Sequence, residues 1–383
     1  MTDVITPTGR VHWIGTGMST GSGLGLVCKD TSTVLWGRTV RKAEDCLARL
    51  GLPGRAGTRA FDADSLAEEL AAGDTVVSML PASMHPLLVR LALEHGAHFV
   101  CSSYMSPEIM AYADAAGERG LVLLTETGLD PGIDHLFAHE LVRKAKALTG
   151  DRPATVRFTS YCGSNPAVPN DFRYRFSWAP RGVLTALLTP ARLIEEGVVK
   201  DVPRPWEAVT PRVIGDETFE VYPNRDSVPF LATYAFPASW QPETFVRGTL
   251  RLDGWSDAWK PVFAELIDGN DARISELAEE LAARHPTTAS DHDRVVMSVK
   301  LEVRTAEETW SGEYVLDVVG DERENATPRL VSVPLACGIL DVAAGRVAPG
   351  AHRATDDPEL VRRWLEFMRV HGITAEFREE NGA

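Results

Sequence analysis

Residues 15–21 read GTGMSTG directly after the apolar run Val11–Ile14. A pyrophosphate has to reach backbone N–H groups at a helix N-terminus, and side chains at Gly15 and Gly17 would block its approach. Met18 and Ser19 lie in the same turn and are expected cofactor contacts. The spacing departs from the usual glycine pattern, since Thr20 holds the third small position and Gly21 follows it. A second apolar run, TVLWG, ends about 20 residues on, where an NAD site carries a carboxylate for the ribose. Here the run leads into Arg38, Thr39, Arg41 and Lys42. Guanidinium groups suit a 2′-phosphate, so the cofactor reading is NADP (NADPH), with Arg38 and Thr39 as contacts.

A second set of residues could clamp anions. YPNRDS (222–227) supplies Asn224 and Arg225, and RGTLR (247–251) supplies Arg247, Thr249 and Arg251. If RGTLR is a strand, those three side chains share one face and both guanidiniums reach one pocket. A salt-bridged exposed strand face is the alternative. Asp130, ahead of Pro131 and Gly132, also reads as turn chemistry, and Asp134 is placed to cap a helix beginning near His135. Cys162 in VRFTSYC reads equally as a buried small apolar residue. His135 and His139 lie four apart, as metal ligands can, but no third ligand accompanies them, so capping or packing is expected and no metal.

These residues need elements to position them. TVVSMLP (75–81), HPLLVRLALEHG (85–96), HFVCSSY (98–104), PEIMAYADAAGERG (107–120) and LVLLTETG (121–128) alternate strand and helix patterns. The strands are apolar on both faces, which predicts a Rossmann-type doubly wound parallel sheet. Ligands in such sheets lie at the carboxyl ends of strands. That rule marks Pro81–Ser83, Ser102–Tyr104 and Glu126–Asp130 as cleft-lining turns, with Asp62, Leu80, Pro81 and Ser102 as further cofactor contacts. Beyond residue 150, segments such as ATVRFTSYC, ETFVRGTLRLDG and RVVMSVKLEVRT alternate apolar and polar residues, which predicts an α+β domain with a mixed sheet. The fold class is therefore α/β, with an α+β substrate and dimerisation domain.

The formal net charge of −15 over 383 residues disfavours nucleic acid and anionic membrane surfaces, both of which need a basic face. No run reaches the roughly 20 uninterrupted apolar residues of a bilayer span, and the N-terminus lacks the pattern of a signal sequence. Five cysteines with no CxxC pair fit reduced thiols, so a cytoplasmic location is expected.

Six runs in order, SSYMSP (102–107), ETGLDPGIDH (126–135), SYCGSNPA (160–167), YRFSWAPRGVL (174–184), YPNRDS and RGTLR, resemble signature segments of the saccharopine dehydrogenase family, of the glutamate-forming saccharopine reductase type. A weaker match lies at VPLACGIL (333–340). The resemblance implies NADP-dependent oxidation of saccharopine to L-glutamate and 2-aminoadipate 6-semialdehyde, or the reverse reductive condensation, in lysine metabolism. Saccharopine is a secondary amine carrying three carboxylates, so its enzyme must clamp several negative charges while holding one C–H bond against the nicotinamide. By resemblance, Ser103, Asn224, Arg225 and Thr249 contact substrate, with Arg247 beside them. Tyr104 hydrogen-bonds it, and Asp130 and Cys162 line the pocket around the reacting amine. Which of Tyr104, Asp130 and Cys162 is the obligate acid or base stays open. The family also implies a homodimer and a C-terminal helix that returns to the nucleotide-binding domain. The expected domains are 1–130 with about 333–383 for the nucleotide, and 131–332 for substrate and dimerisation, with a small helical part near 265–290. Two rival readings remain: a dehydrogenase of the same fold on another carboxylated secondary amine, and a non-catalytic NADPH-binding redox sensor.

Overall fold

The computed structural model describes residues 6–382 apart from 151 and 289. The chain divides into two compact units, Met1–Leu136 with Pro328–Gly372, and Phe137–Thr327 with Ile373–Ala383.

The first unit is built on a seven-stranded sheet. Its strands run in the order Gly350–Arg353, Val122–Thr125, His98–Cys101, Thr75–Ser78, Arg10–Ile14, Ser32–Gly37 and Gly57–Ala60. Every neighbouring pair is parallel. Residues Val11–Ile14, Thr75–Ser78 and His98–Cys101 are buried throughout, because helices cover both sheet faces and leave no strand face to water. The strand order reverses between Arg10–Ile14 and Thr75–Ser78, and the carboxyl edge at that reversal is where such sheets bind ligands.

The glycine-rich turn differs from expectation in one respect. The next helix, Gly23–Asp30, starts later than the motif spacing implies. Thr20, expected as the third small position, instead closes the turn by donating its hydroxyl to the Gly15 carbonyl at 3.1 Å. Gly23 provides the close packing. A Cβ there would lie 1.8 Å from the Ser332 carbonyl oxygen, and its N–H donates to Ser332 Oγ at 3.0 Å. Ser332 sits on helix Ala326–Ala343, which has the length and apolarity of a membrane span, yet 78% of it is buried inside the protein.

The second unit holds a nine-stranded mixed sheet. Thr210–Ile214, Glu217–Pro223, Trp240–Leu252, Ala154–Pro166, Asp293–Arg304, Thr309–Val319 and Glu376–Gly382 lie side by side, and Ala191–Glu195 with Val198–Val202 joins at Trp240–Leu252. Trp240–Leu252 runs parallel to Ala154–Pro166, and the other pairings are antiparallel. Tyr174, Trp206, Tyr222, Trp255, Trp259 and Phe263 form an aromatic core in this unit. The region near 265–290 consists largely of helices Lys260–Asp268 and Asp271–Arg284, whose Phe263, Leu266, Ile274 and Leu277 enter that same core, so it is not a separate body.

The domain expectation needs correction at both ends. Residues 131–136 fall with the first unit, and the tail from Ile373 falls with the second. The tail strand Glu376–Gly382 pairs antiparallel with Thr309–Val319, Trp310 Nε1 donates to Glu379 Oε1 at 2.7 Å, and Phe377 packs on Tyr314.

Candidate functional site

Two constellations of candidate residues form, one in each unit. In the first unit they line the carboxyl edge of the parallel sheet. Gly15 has φ +122°, and a Cβ on it would strike the Met79 carbonyl oxygen at 2.9 Å, so only glycine lets the turn lie against the next strand's end. Gly17 and Met18 are exposed and Ser19 half-buried, with open space where a Gly17 Cβ would stand. Arg38 is exposed just past the strand Ser32–Gly37, with no carboxylate at that strand end. Thr39 caps helix Val40–Arg49 by accepting from the Lys42 N–H at 3.2 Å. Asp62 caps helix Ala63–Glu69, and hydrogen bonds from the Ser65 hydroxyl and amide hold its carboxyl below the usual range. Leu80 is half-buried and Pro81 exposed in the turn that leads to His85. A turn whose Gly15 and Gly17 carry no side chain, beside an exposed arginine and with no ribose-reading acid, fits NADP(H).

The next two strand ends carry the acid–base candidates. Ser102, Ser103 and Tyr104 are half-buried after His98–Cys101. The Tyr104 hydroxyl donates to Asp130 Oδ1 at 3.0 Å, joining two of the residues proposed from sequence. Behind them lies Glu126, which sequence reasoning placed in a cleft-lining turn without giving it a role. It is 1% exposed with φ +59°, in the left-handed region rare for such a residue. Its Oε1 accepts from the Met105 N–H at 2.9 Å, and its Oε2 lies 2.8 Å from His135 Nε2. Arg353 Nε stands 3.4 Å away. Burial raises its pKa, but the His135 hydrogen bond and charge, the Met105 amide and Arg353 outweigh it, so the carboxyl titrates below its ordinary value. His135 therefore braces Glu126, and Asp134 lies within the first turn of helix Ile133–Thr149 rather than ahead of it. Its Oδ1 accepts from Gly132 N–H at 2.7 Å, and its Oδ2 lies 3.5 Å from His135 Nδ1. The turn carrying Asp130 is thus tied at both ends by buried charge. Among the described residues no group of three or more His, Cys, Asp or Glu side chains could hold a metal.

In the second unit RGTLR is a strand, and Arg247, Thr249 and Arg251 alternate on one face. Thr249 pairs in register with Tyr222 on one side and Cys162 on the other, so the three side chains form a row across the sheet. Cys162 is buried in that row. The turn after Pro223 is laced onto the same strand: Asn224 N–H donates to the Arg247 carbonyl at 2.9 Å, and Arg247 N–H donates to Ser227 Oγ at 2.9 Å. Two cationic motifs more than twenty residues apart are thereby brought side by side. Arg247 is 3% exposed with its guanidinium 4.0 Å over the Phe230 ring, whereas Arg225, with φ +58°, is exposed. Arg251 lies among the faces of Tyr174, Trp255 and Tyr222, one end of its fork donating to the Leu250 carbonyl at 3.1 Å.

A doubly wound sheet with a phosphate-ready turn at its switch point, in a chain that also carries a mixed-sheet unit rich in arginine, defines a two-domain dinucleotide-binding protein. Comparison with known families is specific. Residues 11–124 match the family model "Saccharopine dehydrogenase NADP binding domain" and residues 128–373 match "Saccharopine dehydrogenase C-terminal domain". The chain belongs to the saccharopine dehydrogenase family, and it carries that family's NADP-binding domain. It is 37% identical over 200 residues to the saccharopine dehydrogenase [NADP(+), L-glutamate-forming] of Pyricularia oryzae, covering 51% of this chain and 43% of the relative. It is 27% identical over 302 residues to the enzyme of that name from Schizosaccharomyces pombe, covering 70% of this chain and 66% of the relative. The matched stretch thus spans less than two thirds of either relative. Among solved structures, the apo saccharopine dehydrogenase (L-Glu forming) from Saccharomyces cerevisiae superposes with a TM-score of 0.80 at 23% identity, over 97% of this chain and 99% of that one, and shares its fold.

Proposed function

We propose that the chain is an NADP-dependent oxidoreductase acting on the CH–NH bond of saccharopine, giving L-glutamate and 2-aminoadipate 6-semialdehyde or running the reverse condensation, in lysine metabolism. The observation that carries this reading is the lacing of the Asn224–Ser227 turn onto Arg247. It gathers Asn224, Arg225, Arg247 and Thr249 as donors for a ligand with several carboxylates. Arg247, stacked on Phe230, is pre-oriented and loses little freedom on binding. Arg225, at the surface, meets a carboxylate arriving from water.

Gly15 and Gly17 would admit the pyrophosphate of NADP+ and Arg38 would hold its 2′-phosphate; so bound, it would supply a hydride acceptor for the C–H bond beside the amine nitrogen. As that C–H bond breaks, Asp130, whose Oδ1 accepts from the Tyr104 hydroxyl, takes the amine proton, and it returns that proton to the nitrogen when the C–N bond breaks. Water then adds to the resulting C=N carbon, the C–N bond breaks, and the nitrogen leaves protonated as glutamate while the carbon becomes the aldehyde. Cys162 lines the row beside Thr249. A homodimer and a cytoplasmic location belong to the same reading, and a solution mass of twice the chain's tests the first.

The deciding experiment follows nicotinamide absorbance with saccharopine and NADP+, in the wild type and in Arg225→Ala. A lost charge-assisted contact raises the saccharopine KM roughly ten- to a hundredfold. An unchanged KM removes Arg225 from the pocket. Faster turnover of another carboxylated secondary amine transfers the fold to a different substrate, and NADPH binding without turnover of any amine leaves a redox sensor.

A further inference from the structure

His85 opens helix His85–Glu94, just past the end of strand Thr75–Ser78, and is 1% exposed with its ring edge-on to Phe99. It bridges the carboxyl ends of two neighbouring strands. Nδ1 lies 2.9 Å from Ser78 Oγ, and Nε2 lies 2.8 Å from Ser103 Oγ. Burial pushes its pKa down to about 4, so at neutral pH the ring carries a single proton. That proton can sit on either nitrogen, and the choice decides what Ser103 offers to a ligand.

Ser78 resolves the choice. It is buried, and among the described residues its hydroxyl has His85 Nδ1 as its hydrogen-bond partner and no other. Were Nδ1 protonated, it would donate to Ser78, whose own proton would then be buried without an acceptor, a loss of about 1–3 kcal/mol. Ser78 must therefore donate to Nδ1, which leaves the proton on Nε2. Nε2–H donates to Ser103 Oγ, and the Ser103 proton is turned away from the histidine. Ser103 is half-buried just past the carboxyl end of strand His98–Cys101, and its carbonyl accepts from the Glu126 N–H at 3.0 Å, so its backbone is fixed while its side chain keeps partial access to water.

We infer that His85 is a positioning residue held as its Nε2–H tautomer, which makes the Ser103 hydroxyl a hydrogen-bond donor toward a carboxylate oxygen of the ligand. The tautomer follows from Ser78 and Ser103 alone, and the identity of the ligand rests on the function proposed above. A carboxylate group presents acceptors only, so a hydroxyl compelled to donate selects it over a ligand group presenting an N–H at that point.

Two measurements test the inference, and the first is independent of that function. In protein labelled with 15N-histidine, with the His85 signal assigned through His85→Gln, the wild type should show an unprotonated Nδ1 and a protonated Nε2. Ser78→Ala should then release a mixture of tautomers. A protonated Nδ1 or an even mixture in the wild type overturns the inference, whether or not saccharopine is turned over. Absence of saccharopine turnover, by contrast, counts against the proposed function alone. The second measurement is a double-mutant cycle on the saccharopine KM. Ser103→Ala and His85→Leu should each raise KM about tenfold, the double variant no further, and His85→Gln, which keeps an amide donor near the Nε2 position, should recover much of the loss. NADPH affinity reports that each variant is folded. If His85→Leu does not fold, Ser78→Ala takes its place in the cycle. Multiplying effects in the double variant overturn the inference.

Discussion

Replacing Arg38 with alanine tests the cofactor geometry quantitatively. Arg38 is exposed just past the strand Ser32–Gly37 and makes no hydrogen bond or ion pair with any other described residue. Its loss should therefore cost the fold less than about 0.5 kcal/mol, as for other surface changes away from special features. Against a 2′-phosphate it would form a charge-assisted contact, worth about 1.5–3 kcal/mol in general. The site is open to water and screened over roughly 10 Å at 0.1 M salt, so the low end applies, and about 1.4 kcal/mol is tenfold in affinity. The expected result is a tenfold weaker NADPH Kd, an unchanged NADH Kd, and a wild-type preference that shrinks as salt is added. The phosphate is remote from the reacting carbon, so kcat at saturating cofactor should hold. Titration by nicotinamide fluorescence measures both constants. Equal losses for NADPH and NADH would mean that Arg38 supports the nucleotide fold rather than the phosphate. No loss for either would hand the phosphate to Arg41 and Lys42 and refute the assignment.

Three further outcomes follow from the packing. Gly23→Ala puts a methyl group 1.8 Å from the Ser332 carbonyl oxygen, so helix Gly23–Asp30 must move; thermal denaturation should show a loss of about 1–3 kcal/mol or more, together with weaker NADPH binding. Glu126→Gln removes one partner of a buried charged pair and should lower stability by about 3–5 kcal/mol in urea titrations; an unchanged midpoint would show that His135 and Arg353 do not depend on that carboxylate. His85 and His98 are both pushed by burial from 6.5 to about 4. Their folded pKa values lie below the unfolded ones, so the stability they confer is complete above about pH 6.5 and is lost as pH falls toward 4. At about pH 5 the gap from 6.5 is roughly 1.5 units, which at about 1.36 kcal/mol per unit is roughly 2 kcal/mol for each histidine. Urea midpoints at pH 7 and 5 measure the loss, and His98→Asn should roughly halve it.

What the sequence discloses, and what it withholds, follows from the range of each interaction. The parallel sheet is legible because strands buried on both faces must read as unbroken apolar runs, and the strand-end rule then marks the turns where Tyr104 and Asp130 meet. RGTLR is legible as a strand because its alternation puts Arg247, Thr249 and Arg251 on one side. Gly23 is not legible, because the backbone that forbids its side chain belongs to Ser332, over three hundred residues away. The tail EFREENG looks like a solvated charged end, and it is an edge strand held by backbone pairing and one carboxylate on Trp310. Spacing pairs His135 with His139, four residues on, while the fold pairs it with Glu126, nine residues back across a turn. His85 has no local signature at all, since its partners terminate two different strands. Each of these missed residues either packs an element from far along the chain or braces a side chain that sequence had already nominated. Local periodicity can say which residues reach the ligand edge. Only contacts between strand ends decide the direction in which a hydroxyl or carboxylate points once it is there, and in a site that must tell donors from acceptors, that direction is what gives Ser103 and Asp130 their chemistry.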